Sequence, residues 1–277
     1  MNKRGIFAVM HLIASETVYP KVHTAIVKKR FVWEREKPRK DLETELSDLA
    51  EKTCLDKARE LGVANFVIQT AEKGGWIGDR IRGREITFIV NPLSSVYNAA
   101  NQISFFAFSI AAISNEGNVI AGLVKDLTTG CTFHAMKDGG AWFNGEVLKP
   151  SQKSDHEWAI AFAQPGSKRD LRNYLSLWQE ERPLRFLGSP VLAICLVALD
   201  SLCAYVDLSN PPNTSLPELA AGKIILEEAG GMVTDTSGKP FTNLFNYEKT
   251  VNVVAVRDRR TQKVVLDRVR LAMARNS

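Results

Sequence analysis

EITFIVNPLSSVYNAANQISFFAFSI, residues 85 to 110, is the stretch on which the reading of the whole chain turns. It opens on a β-branched run, Ile86 to Val90, the mark of a buried strand. Asn91-Pro92 predicts the end of that strand, because proline has no N–H to donate and restricts the residue before it. A small polar loop, Ser94-Ser95, follows, and then an apolar run from Ile103 through Ile113. Strand, sharp loop, short helix start and second strand form an arrangement that delivers loop side chains to a cleft.

On the N-terminal side, residues 5 to 33 predict a helix interrupted or bent near Pro20, and Glu34 to Lys40 a charged connector. Asp41 to Leu61 predicts a second helix, with Leu42, Leu46, Leu49 and Leu55 at helical spacing and Gly62 as its stop. Ala64 to Thr70 is a short apolar run. On the C-terminal side, from residue 103, strands alternate with the turn signals Asn115-Glu116-Gly117-Asn118, Thr129-Gly130 and Gly139-Gly140. That pattern is an antiparallel meander.

After Pro150 and the polar SQKSDHE segment the pattern changes to alternating strands and helices. WAIAFAQ, PLRFLG, LCAYVDL, GMVTD and VNVVAV predict strands. Lys168 to Gln179, Ser189 to Asp200, Leu216 to Ala229 and Thr261 to Ala274 predict helices. Pro217 suits a first helical turn, and Gly230-Gly231 suits the position just past a helix end. The expected fold is α/β (α+β), a layered αβαβα sandwich. An N-terminal half, residues 1–150, has two helices and an antiparallel sheet; a C-terminal α/β half, residues 151–277, has a mixed sheet covered by helices.

A chain of 277 residues with 45% hydrophobic content can bury a large core, and no apolar run approaches the roughly 18 residues of a membrane span. Met1 to Ala14 is basic and apolar but has no small-residue cleavage site and continues as an amphipathic helix, which argues against a signal peptide. The net charge of +5 sits in Lys28-Lys29-Arg30, Lys37-Pro38-Arg39-Lys40 and Arg257, Arg259, Arg260. Without interleaved aromatics or a known module these are solvated faces rather than a nucleic-acid surface, and an anionic small molecule is compatible with them. Cys54, Cys131, Cys195 and Cys203 lack metal-ligand spacing and read as free thiols of a reducing cytoplasm. His134, with no companion at ligand spacing, reads as structural.

Several motifs resemble those of the inositol monophosphatase and fructose-1,6-bisphosphatase superfamily, nearest its archaeal-type branch. The central stretch is similar to DP(L/I)DG(T/S)xN(F/Y): Pro92, Leu93 and Asn98 keep the frame, while Asn91 and Ser94 stand where the family has aspartates and Ser95-Val96 where it has Gly-Thr/Ser. Gly140-Ala141-Trp142-Phe143-Asn144-Gly145 matches GxGAxxNG. GSPVLAICLVALDSLCAYVDL and PELAAGKIILEEAGGMVTDTSGKPF match two late signatures, with Glu218 at the metal-binding Asp of the second.

The resemblance implies a phosphomonoesterase using two or three Mg²⁺ ions, which demand charged hard oxygens. It also implies a Thr and an Asp on the second helix. Thr44 and Asp48 fit a spacing of four, a spacing of three falls on Ser47, and Asp48 also reads as an ordinary exposed carboxylate. The Glu-Glu pair after the first strand falls on Thr70 or Ala71 and then Glu72. The expected pocket positions are therefore Asp48, Glu72, Asn91, Leu93, Ser94, Ser95 and Glu218. No residue is assigned a catalytic role. Glu72 and Glu218 are the candidates to hold a metal, Mg²⁺ where the site is active. Ser94 or Ser95 either caps the following short helix, freeing N–H groups for phosphate, or serves only as a permissive turn.

Three functions remain open on this reading. The chain is a catalytically degenerate member that binds a sugar phosphate or inositol phosphate as a sensor or regulator. Alternatively it is an atypical Mg²⁺-dependent phosphatase on such substrates, or a structural partner, as a homodimer or beside an active paralogue. A cytoplasmic setting, a phosphorylated small molecule as partner, and neither nucleic acid nor membrane accompany all three.

Overall fold

The computed structural model describes residues 2–31, 39–70, 75–79, 86–149, 159–165, 167–177, 183–242, 244–246 and 249–275. Two sheets, separated by a pair of helices and covered by helices on both outer faces, make the αβαβα layering.

The outer layer of the first sheet is α1 (Lys3–Ile13), α2 (Tyr19–Phe31) and α3 (Arg39–Glu60), with α1 and α2 joined by a π-helical turn, Ala14–Val18. Asn2 caps α1, its side chain accepting from Gly5 N at 2.9 Å. The buried stripe runs Met10, Ala14, Val18, Val22 and Ile26, in steps of four residues. Steps of four drift off one face of a 3.6-residue helix. The wider π turn, just ahead of Pro20, absorbs the surplus and keeps the stripe on the sheet, so the expected bend near Pro20 is a change of helix type. On α3 the stripe is Leu46, Ala50, Cys54 and Ala58.

The first sheet has the order β2-β1-β3-β4-β5-β6-β7-β8. Its strands are β1 (Phe66–Thr70), β2 (Gly75–Asp79), β3 (Ile86–Ser94), β4 (Ala107–Ser114), β5 (Val119–Asp126), β6 (Thr132–Met136), β7 (Ala141–Phe143) and β8 (Glu146–Val147). From β4 onward it is the expected meander. It is not wholly antiparallel, because β1 pairs parallel with β3. Nor does Asn91-Pro92 end β3. Asn91 pairs with Ser109 and Ser94 with Ala107, so three steps on β3 match two on β4. Pro92 lies inside this bulge, where no ladder donor is required. A five-residue helix, α4 (Val96–Ala100), follows.

The second sheet has the order β10-β9-β11-β15-β13, with parallel and antiparallel pairs. It contains β9 (Ile160–Phe162), β10 (Leu184–Phe186), β11 (Ala204–Asp207), β13 (Met232–Thr234) and β15 (Val253–Val256). A two-stranded ribbon, β12 (Thr214–Ser215) with β14 (Thr250–Val251), was not anticipated. Two helices, α6 (Pro190–Ala198) and α7 (Leu216–Glu228), lie between the sheets, while α5 (Lys168–Leu177) and α8 (Arg259–Arg275) cover the outer face. Gly122 on β5 is what lets α7 approach: a Cβ there would stand 2.6 Å from Ile224 Cγ2 and 2.9 Å from the Ala221 backbone. The buried faces of α6 and α7 belong to one continuous core with Val124, Phe133, Tyr205 and Val254. Truncating a fully buried member such as Ile225 to alanine would cost about 2–5 kcal/mol.

Among the described residues no helix is long and apolar enough to cross a membrane. Cys54, Cys131, Cys195 and Cys203 are all free thiols. His134 stacks on Trp142 at 5.3 Å and meets Phe7 at 4.6 Å, a packing role.

Candidate functional site

The β3 bulge, the start of α4 and the first turn of α7 enclose a cleft of about 340 Å³, whose walls include Ser47, Gln69, Asn91, Ser94, Gly188 and Glu218. Each wall has a local cause. The bulge turns Asn91, Pro92, Leu93 and Ser94 in succession toward the opening, and all four are buried. Asn91 Oδ1 accepts from Leu93 N at 3.2 Å, an Asx-type turn that occupies the side-chain oxygen within its own loop. Ser94 Oγ shares a hydrogen bond with Ser189 Oγ at 2.9 Å. Ser95 has left-handed backbone, φ 67°, and makes no capping bond, so neither serine caps α4. The permissive-turn reading of Ser94-Ser95 is the one the geometry bears out.

The second sheet is tied to this loop. Asn98 Nδ2, on α4, donates to Phe105 O and to Leu187 O, both at 2.8 Å. Gly188 follows with φ +98°, and a Cβ there would meet Asn98 Nδ2 at 2.7 Å and Ser95 Oγ at 2.9 Å. Glycine is required by both the conformation and the space.

Glu218 enters from the first turn of α7. Burial, with the Asp207 carboxylate near it, pushes its carboxyl up to about 7. Asp207 itself lies outside the cleft lining and is fully buried. It accepts from Ser209 N at 2.9 Å, Ser209 Oγ at 2.5 Å and Thr214 Oγ1 at 2.6 Å, so its oxygens are committed to the fold.

Of the expected pocket positions, Asn91, Leu93, Ser94, Ser95 and Glu218 are brought together. Asp48 is not. It is exposed on α3, while Ser47, one residue earlier, lines the cleft. Successive helical residues point about 100° apart, so only one of the two can face inward, and the helix phase selects Ser47. Glu72 and Ala71 lie outside the described residues, and Thr70 ends β1. Gln69, Tyr97, Gln164 and Gly188 also line the cleft and were not singled out. Gly188 opens a quoted motif, but nothing local marks the two glutamines, which strand topology alone carries to the site.

Whether this donor set suits Mg²⁺ can be read from it directly. Magnesium needs several hard, charged oxygens in octahedral array. Glu218 is the one carboxylate lining the cleft among the described residues, Asn91 Oδ1 is turned to Leu93 N, and Ser94 Oγ is engaged with Ser189. Among the described residues no group of three or more His, Cys, Asp or Glu side chains is placed to hold a metal. The described residues do not fit the ion.

A second chamber of about 200 Å³ adjoins the first, sharing Gln164 and Gly188 with it. Phe162, Ala163, Ala193, Tyr205 and Thr214 are its buried residues, and Gln164 and Asn213 are exposed at its rim. Burial, with the Asp207 and Glu218 carboxylates near it, drives the Tyr205 phenol well above its ordinary range. A wider groove of about 650 Å³ between β13 and α8 shares no residue with either chamber. Charges on its walls are partly paired, Lys223 with Glu227 at 2.6 Å and Arg270 with Asp267 at 3.1 Å.

Comparison with known proteins agrees with this architecture. A model of the inositol monophosphatase family matches residues 7–272. A fructose-1,6-bisphosphatase of Pyrococcus furiosus is 31% identical over 225 residues, 81% of this chain and 82% of that protein. A fructose-1,6-bisphosphatase/inositol-1-monophosphatase of Methanothermobacter thermautotrophicus is 33% identical over 178 residues, 61% of this chain and 62% of that protein. The solved Thermotoga maritima IMPase superposes with a TM-score of 0.76 at 21% identity, covering 100% of both chains, which shows a shared fold.

Proposed function

The chain belongs to the inositol monophosphatase family, and from that premise we propose that it is a catalytically degenerate member, holding a sugar phosphate or inositol phosphate as a sensor or regulator. One observation carries the reading. The loop that would present charged oxygens presents the neutral Asn91 and Ser94, and Asn91 Oδ1 and Ser94 Oγ each make a bond within the protein, to Leu93 N and Ser189 Oγ. Glu218 alone remains as a lining carboxylate among the described residues, and burial raises its carboxyl to about 7, so about half of it is protonated near neutral pH. A metal-dependent phosphatase uses its ions as Lewis acid, nucleophile generator and template at once, and a lone carboxylate of this kind holds a dication weakly.

The retained Glu218, together with relatives named as phosphatases, supports a second reading, an atypical Mg²⁺-dependent phosphatase on inositol monophosphate or fructose-1,6-bisphosphate. The experiment that separates the two compares the unmodified chain with a restored one. The restored chain carries Asn91→Asp, Ser94→Asp, Ser95→Gly, Val96→Thr, Glu218→Asp and, in turn, Thr70→Glu or Ala71→Glu. Hydrolysis only after restoration supports the degenerate reading. Robust, chelator-sensitive turnover by the unmodified chain establishes the phosphatase instead.

A further inference from the structure

The groove between β13 and α8 shares no residue with the cleft or its chamber. At about 650 Å³ it has the size of a small-molecule site, roughly 300–1,000 Å³. Met232, Val233, Pro240 and Leu266 give it apolar surface, and Gln262 adds an amide. The turn after β13 holds one wall in place. Asp235 accepts from Ser237 N at 2.8 Å, Ser237 Oγ at 2.7 Å and Lys239 N at 2.9 Å. Gly238, with φ +87°, brings that turn close to α8, since a Cβ there would stand 2.9 Å from Leu266 Cδ1.

Charge decides what the groove can take. Arg259, Lys263 and Arg270 line it from α8, together with the carboxylates of Glu227 and Asp267. Both carboxylates are already engaged, Glu227 with Lys223 at 2.6 Å and Asp267 with Arg270 at 3.1 Å. Asp258, just ahead of α8, is committed as well: it accepts from Thr261 N at 2.7 Å and meets Arg257 Nε at 3.2 Å. Arg259 and Lys263 are left exposed, one turn apart, with no ion-pair partner among the described residues. Like charges at that spacing repel, and the N-terminal end of the helix is itself positive. A dianion between the two side chains relieves both effects, whereas a single carboxylate balances only one of them.

We infer that this groove is a second binding site, for a small organic phosphate whose body is a flat apolar ring. The phosphate sits between Arg259 and Lys263, where a guanidinium fork engages two oxygens at once. The ring lies against Met232, Pro240 and Leu266, a surface on which the thioether of Met232 favours an aromatic partner. The site stands apart from the cleft and does not depend on whether the cleft hydrolyses anything.

The test uses the full chain with its methionine methyl groups labelled with carbon-13 and read by NMR. The chain has 5 methionines; Met232 lines the groove and none lines the cleft or its chamber, so its signal reports this site alone. Met232→Leu assigns that signal. The probes are phenylphosphonate, which a phosphatase cannot hydrolyse, and methylphosphonate, which has the same head without the ring. Phenylphosphonate should shift the Met232 signal saturably, with methylphosphonate binding at least about threefold more weakly. Arg259→Gln and Lys263→Gln should each weaken phenylphosphonate about threefold to tenfold, as suits exposed ion pairs, and added salt should weaken it further. Arg260→Gln makes the same charge change one residue away, outside the groove lining, and should leave the affinity unchanged. An equal loss in Arg260→Gln would reduce the effect to overall charge and overturn the site. Equal affinity for the two probes, or no shift of Met232 at millimolar phenylphosphonate, would overturn it too.

Discussion

Ser94 Oγ and Ser189 Oγ meet at 2.9 Å in a buried hydrogen bond that joins the β3 bulge to the N-cap of α6. The bond links the two sheets at the position where the family resemblance implies a metal-binding aspartate.

Ser94→Ala or Ser189→Ala should each lower stability by about 1 kcal/mol, because each leaves one buried hydroxyl without its partner. For a chain of this size that is a fall of about 2–4 °C in melting temperature. The double variant should be no less stable than the worse single one, since both orphaned groups are then gone. Thermal melts of the three variants check this, and strict additivity would show that the two hydroxyls do not interact.

Glu218 should make the fold less stable at alkaline pH. Its folded carboxyl titrates near 7 against an ordinary 4.5, so between those values the folded chain keeps a proton that the unfolded chain releases. Stability therefore falls as pH rises from about 4.5 to about 7, and the full penalty applies above. Glu218→Gln removes the titration, and should stabilise the chain at pH 8 by about 1–3 kcal/mol while changing it far less at pH 4.5. Denaturant midpoints at the two pH values measure the difference, and equal gains at both would refute the assignment.

The residues that were legible in the sequence share one property: their signal is local. Pro217 and Gly230-Gly231 bracket α7 because helix ends have their own chemistry. The hairpin glycines mark the meander from β4 onward for the same reason. Asn91-Pro92 looked like a terminus because a proline ends most strands, yet cross-strand pairing to β4 carried the strand through it as a bulge. Asp48 and Ser47 differ only by helix phase, which spacing to a motif does not settle but burial against the sheet does. Gln69 and Gln164 had no local mark at all; they reach the two chambers through the arrangement of strands that are far apart in sequence.

Leu171 and Leu175, one turn apart on α5, are 40% and 49% exposed, and Phe186, on the edge strand β10, is 42% exposed. Phe186 meets Tyr174 of α5 at 5.9 Å, so its strand packs against the helix that carries both leucines. Exposed apolar side chains on the last strand of a sheet, β10 among the described residues, favour self-association. The chain is expected to form a homodimer at tens of micromolar, and Leu175→Lys with Phe186→Glu to shift it to monomer. Light scattering reports both, and a monomeric unmodified chain would remove the homodimer while leaving a paralogue partner open.

Glu228, at the C-terminal end of α7, receives the backbone N–H groups of Asp138, Gly139 and Gly140 at 2.9, 3.2 and 2.9 Å. One carboxylate therefore clamps the whole β6–β7 turn onto the helix that also carries Glu218, ten residues earlier. Bonds to a charged acceptor are stronger than neutral ones, at about 1.5–3 kcal/mol each, and three on one group are not additive. Glu228→Ala leaves three N–H groups to find water or remain unpaired, and should cost about 2–3 kcal/mol. Glu228→Gln, with one amide oxygen of lower charge, should lose less. If the clamp positions α7 as well as stabilising it, Glu228→Ala should also raise amide exchange at Asp138 to Gly140 and along the first turn of α7 together. Hydrogen exchange resolves the two segments, and faster exchange confined to the turn would limit Glu228 to a local cap.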